Sequence, residues 1–343
     1  MNRKIGIVGC GKRFQTLYFD ILNSLNYDLF LWNRTKSKSE KFKNKENVTI
    51  VNELTDFESI DLDFIVCTLP EGARLQAIEN LVDITTAPIL VETPVTNQSL
   101  VNISVNNFNR IGVLEQWPYL PLEQFKRLIY ENNIMSRPYW VFNDGRTYDY
   151  HGIAQLRSYT ENAIPKMIKG AIMNVEQPGH IDNTGNLNVT SDFWTHGNVH
   201  LSNDALLTHS FCYNCKVSDL KPMQAIKCYS SDGSIVTGRI HELNNDYELA
   251  EIRYLDEHKK VIVEKIKSEN LGSVTSKITA AGITWQNKYA DLEFNDQQVA
   301  IATMFEMALD GLLYSPNAAL IDCITVNAIK ESGLRHQILS TSK

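Results

Sequence analysis

The stretch that decides the fold is Lys4–Phe14, which reads KIGIVGCGKRF. Its apolar first half has the composition of a buried β-strand, and the glycines at positions 9 and 11 permit a sharp turn directly after it. A helix opens beyond the turn, because apolar residues recur at helical spacing from Leu17 to Leu25. Free backbone N–H groups at the start of such a helix can meet the negative charge of a pyrophosphate, so this pattern predicts a nucleotide site.

The glycine pattern departs from the usual dinucleotide-binding fingerprint at one position, where Phe14 replaces the third glycine. The chain nevertheless continues as a strand–helix–strand unit of the expected length, with a helix over Gln15–Asn26 and a strand over Tyr27–Trp32. We therefore expect the pyrophosphate to be bound by residues of the turn and the helix start, namely Gly9, Gly11, Lys12, Arg13 and Phe14.

The tip of the second strand carries no carboxylate to hold a ribose 2′-hydroxyl and reads Asn33-Arg34-Thr35 instead. An arginine offers a two-pronged donor to phosphate oxygens, so this tripeptide indicates a site for the 2′-phosphate of NADP(H). The alternative is a solvated basic turn that opens a lysine-rich helix between Lys36 and Lys45. The glycine turn one strand earlier favours phosphate binding, and the expected cofactor is NADP(H).

The composition excludes several classes of protein. The chain has 343 residues, enough for two domains, and its net charge of −7 argues against a general nucleic-acid binder. No apolar run approaches the roughly 18 residues that a membrane span needs. Lys12 and Arg13 also follow the first apolar segment too closely for a signal peptide. We expect a cytoplasmic protein with no nucleic-acid and no membrane partner.

The cysteines and histidines do not predict a disulfide framework or a metal centre. Six cysteines in a chain of this length are expected to be reduced thiols, some of them buried as small apolar residues. One cluster has spacings that could suit zinc, namely His196, His200, His209, Cys212 and Cys215. Structural zinc sites usually show two compact ligand pairs of matching kind, and an ordinary apolar pair, Leu206-Leu207, interrupts this cluster. We predict no metal site.

Strands and helices alternate in the rest of the N-terminal region. Strands are predicted at Val48–Val51, Leu62–Pro70 and Pro88–Pro94, with a helix over Glu71–Leu81. This alternation is typical of a parallel, doubly wound sheet, in which ligands bind outside the carboxyl ends of the strands. We therefore expect the cofactor to lie beside strand-end residues, namely Thr68, Leu69, Pro70, Glu92, Thr93 and Pro94.

Six motifs are spread over nearly the whole chain, and both their order and their spacing are informative. They are Gly9–Gly11, Thr68–Pro70, Glu92–Pro94, Val113–Pro121, Tyr150–Arg157 and Gln297–Gly333. Together they resemble the glucose–fructose oxidoreductase, inositol dehydrogenase and MocA family of NAD(P)-dependent oxidoreductases. The resemblance implies an α/β fold with an N-terminal Rossmann dinucleotide-binding domain over residues 1–120. It implies a C-terminal α/β domain over residues 121–343, built on an open, mostly antiparallel sheet whose exposed face pairs two subunits in a homodimer. The last helices are expected to close the fold and to pack back on the first domain.

The sequence departs from this family at two positions that carry its chemistry. The family's Glu-Lys-Pro lysine is replaced by Thr93, and the aspartate expected three residues after His151 is replaced by Ala154. Oxidation of a sugar alcohol needs a positioned base to take the hydroxyl proton as hydride leaves, and both groups are missing. Biliverdin reductase and the thiazolinyl imine reductases of siderophore assembly are similar branches that also lack the lysine.

Two side chains are candidates for the proton donor. The imidazole of His151 is the first, because histidine ordinarily titrates near neutrality, and the alternative is a packed ring at a helix start. Tyr119 is the second, and its alternative is a core aromatic beside Trp117. Asp149 is expected to cap the helix that carries Arg157. Arg157 is expected either to hold a substrate carboxylate or to form a surface ion pair.

The second domain shows strand-like alternation over Arg137–Phe142 and Met223–Val263. The polar, Gly- and Asn-rich stretch Gln177–Asn203 is expected to form loops near the substrate or at a subunit contact.

Taken together, these features favour an NADPH-dependent reductase of a polarised C=N or C=C bond in a small molecule, as in natural-product (siderophore-like) biosynthesis. One alternative is a sugar or cyclitol dehydrogenase with His151 as its base. Another is a non-catalytic NADP(H)-binding regulator.

Overall fold

The computed structural model of the chain describes residues 2–145, 149–181, 187–212, 226–237, 250–272 and 274–340. The protein divides into two compact units. The first comprises Met1–Tyr119 and Gln297–Leu320, and the second comprises Leu120–Asp296 and Ile321–Lys343. The change of unit after Tyr119 lies next to the domain boundary expected from the sequence, and a segment near the C-terminus joins the first unit.

The first unit contains a parallel sheet of six strands. Its strands are β1 (Lys4–Val8), β2 (Asp28–Trp32), β3 (Val48–Ile50), β4 (Phe64–Cys67), β5 (Ile89–Val91) and β6 (Ile111–Val113). Their spatial order is β3-β2-β1-β4-β5-β6, and every neighbouring pair is parallel. This is the order of a dinucleotide-binding sheet, in which the strand order reverses beside β1.

Helices and packed aromatic rings cover this sheet. The helix after the glycine turn begins as a π-helical segment, Phe14–Tyr18, and is followed by α1 (Phe19–Ser24), α2 (Lys36–Glu40), α3 (Glu71–Ile84) and α4 (Gln98–Asn106). Tyr18 and Phe64 are fully buried and both pack against Phe305, with ring centroids 6.2 Å and 5.5 Å apart. The lysine-rich helix expected to continue toward Lys45 ends at Glu40. Phe42, just beyond it, turns inward against Phe14 and Phe19.

The second unit contains a larger mixed sheet. The strands of this sheet are β7 (Trp140–Asp144), β8 (Pro165–Ile181), β9 (Leu187–Leu201), β10 (Leu206–Phe211), β11 (Ile226–Ser230), β12 (Gly233–Thr237), β13 (Glu251–Leu255) and β14 (Val261–Lys265). The unit also contains the helices α5 (Pro121–Glu131) and α6 (Asp149–Ser158). The order is β14-β13-β12-β11-β7-β10-β9-β8, with one parallel pair, β7 and β10. The expected α/β fold with an open, mostly antiparallel second sheet is confirmed.

The remaining elements are a small antiparallel sheet and the last helices. The sheet consists of β15 (Lys267–Leu271), β16 (Val274–Ala280) and β17 (Ile283–Gln286), and the helices are α7 (Asp296–Leu309) and α8 (Pro316–Ser340). Within the described parts of the chain, no helix combines the length and apolar character needed to cross a membrane.

One face of the large sheet is buried and the other is partly open. Val141, Leu207 and Cys228 on the buried face pack with Ile153 of α6 and Ile329 of α8. Side chains of the opposite face are half-buried, as in β7 and β11. There the rings of Trp140 and Tyr229 stack with centroids 5.0 Å apart.

The expectation of loops over Gln177–Asn203 is wrong for the described residues, because most of this stretch belongs to the long β8–β9 hairpin. Two glycines of this hairpin are needed for helix packing. Gly170 and Gly197 lie opposite each other in the hairpin, where α8 passes over them. A Cβ at Gly170 would stand 2.1 Å from the carbonyl oxygen of Ile329, and one at Gly197 would stand 2.6 Å from its Cγ1.

Candidate cofactor site

A cavity of about 880 Å³ lies at the carboxyl ends of the strands in the first unit. All of its lining residues belong to that unit. Ten of the fourteen residues predicted to bind the cofactor line it, namely Gly9, Gly11, Lys12, Arg13, Asn33, Arg34, Thr35, Thr68, Leu69 and Pro70. The strand-end rule therefore places these residues in one cavity.

The glycine turn has the geometry that a close ligand approach requires. Gly9 has a φ of +104°, which side chains rarely adopt, and a Cβ there would stand 3.1 Å from atoms of both Thr68 and Leu69. Gly11 differs, because a Cβ built on it would meet no atom within 4 Å. The space beside Gly11 is thus open, and Gly11 lines the cavity.

Hydrogen bonds hold the turn in place from two neighbouring strands. Asn33 Oδ1 accepts from the Cys10 backbone N–H at 2.8 Å, and Asn33 Nδ2 donates to the Thr35 carbonyl at 2.9 Å. Thr68 Oγ1 donates to the Gly9 carbonyl. Asn33 and Thr68 therefore shape the turn through its backbone, in addition to lining the cavity.

The far end of the cavity is basic. Arg34, Thr35 and Lys38 line it, and the described residues provide no hydrogen bond or ion pair for the Arg34 and Lys38 side chains. The one carboxylate of the lining is Glu53, which lies 4.0 Å from the exposed amine of Lys36. Arg34 is thus available to an anionic ligand.

Several lining residues were not predicted from the sequence. They are Trp32, Lys38, Glu53, Leu54, Thr55, Gly72, Ala73, Gln76, Ala77 and Asn80. Two signals could have found most of them. The segment 53–55 follows β3 as Thr68–Pro70 follows β4, so the strand-end rule applies to it as well. Ala73, Gln76 and Asn80 recur at helical spacing on α3.

The other four predicted residues do not line the cavity. Phe14 is fully buried, with its ring 5.8 Å from Phe19 and 5.4 Å from Phe42. Glu92 is 5% exposed, and Thr93 and Pro94 are half-buried beyond β5. Direct contact of these four residues with a cofactor stays a prediction.

The carboxylate of Glu92 collects three donors. Arg13 Nε donates to Oε1 at 2.7 Å, the Tyr18 hydroxyl donates to the same oxygen, and the Thr93 backbone N–H donates to Oε2 at 3.1 Å. Burial, together with the Glu92 charge, raises the pKa of Tyr18 well above its ordinary value. Tyr18 therefore stays protonated and acts as the donor.

A buried arginine joins the ends of β4 and β5. Arg74 of α3 donates from Nη1 to the carbonyls of Glu92, at 2.6 Å, and Pro94, at 2.9 Å. Its Nε donates to the Leu69 carbonyl at 3.3 Å. These bonds fix the backbone of both strand-end segments that the sequence placed beside the cofactor.

The two predicted proton donors lie in different units. Tyr119, in the first unit, is half-buried and lines a small apolar cavity with Leu90, Met304 and Tyr314. This environment agrees with the alternative interpretation of Tyr119 as a core aromatic. His151 lies on α6 of the second unit, half-buried, with its ring centroid 4.2 Å from that of Tyr150. Their role as donors stays a prediction.

Arg157 is neither a substrate ligand nor a surface residue, so both expectations for it are wrong. Its guanidinium is 1% exposed and forms an ion pair with the buried carboxylate of Asp322 on α8. It also donates to the Asn162 carbonyl at 2.8 Å. The sequence could not indicate this pair because the partner lies on the last helix. Asp149, the first residue of α6, accepts from Lys330 at 2.9 Å.

Of the histidines and cysteines weighed as a zinc site, His196 and His200 lie on β9 and His209 lies on the neighbouring β10, with Cys212 just after it. Among the described residues, no three His, Cys, Asp or Glu side chains are grouped to hold a metal ion, and Cys215 lies outside these residues. His209 is buried on β10, where its Nδ1 lies 3.1 Å from the Asn143 amide nitrogen. Burial, together with the charge of Lys330, lowers the pKa of His209 to about 3.

No protein-family model matches the sequence, and no curated protein matches it in sequence. Solved structures resemble it over almost the full length. The transcriptional regulator Gal80p of Kluyveromyces lactis is 15% identical, with a TM-score of 0.66 over 98% of this chain and 93% of that chain. An oxidoreductase of Thermotoga maritima is 15% identical, with a TM-score of 0.60 over 97% of each chain.

A further solved structure is biliverdin reductase of Synechocystis sp. in complex with biliverdin and NADP⁺. It is 11% identical to this chain, with a TM-score of 0.56 over 96% of this chain and 98% of that chain. At such identities the likeness shows the shared fold.

Proposed function

We propose that the protein is an NADPH-dependent oxidoreductase related to the glucose–fructose oxidoreductase, inositol dehydrogenase and MocA family. The observation that carries the proposal is the cavity of the first unit, which joins an open glycine turn at Gly11 to a basic end at Arg34 and Lys38. A dinucleotide needs both features, because its pyrophosphate and its ribose lie at successive strand ends. The oxidoreductases among the solved structures support this proposal.

The charge of the lining favours NADPH over NADH. Lys12, Arg13, Arg34 and Lys38 place four cations around the cavity, against the one carboxylate of Glu53. A 2′-phosphate adds a charge of about −2 that NADH lacks. Arg34 and Lys38 supply matching donors at the strand tip where an NAD-binding site would carry a carboxylate.

The proposed reaction is hydride transfer from NADPH to a polarised C=N or C=C bond of a small molecule. Thr93 and Ala154 stand where the resemblance implies a lysine and an aspartate, and neither can act as a base. Reduction of an electrophilic double bond needs orientation and a proton donor instead. His151 and Tyr119 are the proposed donors.

The proposal includes a homodimer that forms through the open face of the large sheet. Trp140, Phe142 and Tyr229 are half-buried on this face, and aromatic side chains of this kind are enriched at protein interfaces. Light scattering of the purified protein tests the dimer, and a monomer at all concentrations would contradict it.

A second candidate function is a non-catalytic NADP(H)-binding regulator. The likeness to a transcriptional regulator, Gal80p, and the two replaced residues Thr93 and Ala154 favour it. A third candidate, a sugar or cyclitol dehydrogenase, would require His151 to act as the base.

An activity panel separates the three candidates. NADPH consumption is measured with cyclic imines and conjugated enones, and NADP⁺ reduction with sugars and inositols. Gly11→Val serves as the cofactor-site control, since its side chain would occupy space beside the glycine turn without meeting protein atoms within 4 Å of its Cβ. The proposal expects NADPH-dependent reduction that Gly11→Val abolishes. NADP⁺ reduction by a sugar would favour the dehydrogenase, and cofactor binding without any turnover would favour the regulator.

A further inference from the structure

The inference concerns the buried carboxylate of Glu92, and it rests on the proposed function. A buried carboxylate is costly unless it is paired and hydrogen-bonded, and Glu92 has three donors although it does not itself line the cavity. One of those donors, Arg13, does line the cavity and is 45% exposed. Glu92 therefore contacts a residue of the cavity lining, Arg13.

The contact fixes the direction of the Arg13 guanidinium. Its Nε is bound to Glu92 at 2.7 Å, and the Tyr18 side chain, which is bound to the same carboxylate, also interacts with the guanidinium. A guanidinium is planar and rigid, so holding Nε also sets the orientation of both terminal nitrogens. They form a two-pronged donor, the geometry that best fits a phosphate.

Tyr18 restrains the ion pair of Arg13 and Glu92. Its hydroxyl donates to the same Glu92 oxygen as Arg13, and its fully buried ring packs 6.2 Å from the Phe305 ring of α7. The guanidinium carbon of Arg13 also lies 6.0 Å from the centre of the Tyr18 ring. Glu92, at the end of β5, and Tyr18, of the π-helical segment, thus both contact Arg13. Phe305 of α7 packs against Tyr18 in turn.

We propose that Glu92 and Tyr18 are positioning residues that hold Arg13 as a preformed clamp for the diphosphate of the dinucleotide. Arg13 is the residue that touches the cofactor. Glu92 and Tyr18 act through it, at the junction between the glycine turn and the end of β5. Because the clamp is oriented before the ligand arrives, less conformational freedom is lost on binding.

Fragment binding tests the proposal. Two ligands are titrated calorimetrically, NADPH and adenosine 2′-monophosphate, which has the 2′-phosphate but no phosphate of the diphosphate bridge and no nicotinamide half. The variants are Arg13→Gln, Tyr18→Phe and Glu92→Gln. Arg3→Gln is the control, because Arg3 forms an exposed ion pair with Asp63 in the same unit.

The clamp predicts a loss that is selective for the larger ligand. Arg13→Gln should weaken NADPH binding by about 10- to 100-fold, and Tyr18→Phe by about 2- to 10-fold, because it removes one hydrogen bond that orients the clamp and leaves Arg13 itself in place. Both should leave the binding of adenosine 2′-monophosphate within about twofold of wild type. A general loosening of the fold would weaken both ligands equally, so equal losses would overturn the proposal.

The outcomes separate this inference from the proposed function. Unchanged NADPH binding in Arg13→Gln, with tight binding by wild type, would overturn the clamp alone. Wild-type protein that binds neither ligand would overturn the proposed function and the clamp together. If Glu92→Gln fails to fold, Tyr18→Phe still decides, because it removes a single hydroxyl from a ring that stays packed.

Discussion

Arg157 and Asp322 form an ion pair buried at 1% and 2% side-chain exposure, although 165 residues separate them along the chain. The pair joins α6, which carries His151, to α8 within the second unit. A second contact between the same helices is the ion pair of Asp149 with Lys330. The start and the end of α6 are thus both tied to the last helix.

The first prediction concerns this buried pair. Asp322→Asn removes the charge that compensates Arg157, so we expect it to lower the free energy of unfolding by about 3 to 5 kcal/mol. Glu269→Gln is the control, because the Glu269–Lys277 pair is exposed and such pairs contribute only about 0 to 1 kcal/mol. Urea unfolding curves measure both. Equal, small losses would show that the buried pair is not needed for stability.

The second prediction concerns the glycines under α8. Gly197→Ala brings a Cβ to 2.6 Å from the Ile329 side chain, and overpacking of this kind costs about 1 to 3 kcal/mol. Gly170→Ala meets the Ile329 backbone instead. We therefore expect Ile329→Ala to offset the cost of Gly197→Ala but not that of Gly170→Ala.

A double-mutant cycle for each glycine measures this difference. Gly72→Ala is the control for the substitution itself, because its Cβ would meet no atom within 4 Å. Identical coupling of Ile329 to both glycines would contradict the packing described here.

The third prediction is a pH dependence of stability carried by His209. Its pKa is lowered to about 3 in the folded protein by burial, whereas an unfolded histidine titrates near about 6.5. The unfolded state therefore binds the proton first as the pH falls. Stability is full above about pH 6.5 and decreases toward pH 3, by up to about 1.4 kcal/mol per pH unit.

His209→Gln removes the titrating ring and should flatten the slope of unfolding free energy against pH. His200→Gln, at an exposed position on β9, is the control and should leave that slope as in wild type. Unfolding free energies at a series of pH values measure the slopes. A wild-type slope retained in His209→Gln would assign the acid sensitivity to other groups.

Local sequence patterns were enough to predict the parallel sheet of the first unit and half of the residues that line its cavity. The glycine turn and the strand-end rule depend on neighbouring residues, and they placed Gly11, Arg34 and Thr68 correctly in the lining. Glu53 was missed although the same rule covers it.

The second unit was harder to predict because its structure depends on distant contacts. Gly197 lies in a polar stretch with the composition of loops, and its need for a glycine is explained only when α8 is packed over the hairpin. Arg157 has the appearance of a ligand-binding or surface residue until Asp322 is brought beside it. In each case the deciding partner lies on a helix more than a hundred residues further along the chain.

Cofactor choice tests the central claim most directly. Dissociation constants for NADPH and NADH are measured by fluorescence titration of wild type, Arg34→Ala and Lys43→Ala. Lys43→Ala is the control, because Lys43 is exposed and lies outside the cavity lining. We predict that wild type binds NADPH about 10- to 100-fold more tightly than NADH, through charge-assisted contacts to the 2′-phosphate. Arg34→Ala should erase most of that difference and Lys43→Ala should preserve it. Equal dissociation constants for the two cofactors in the wild-type protein would contradict the account.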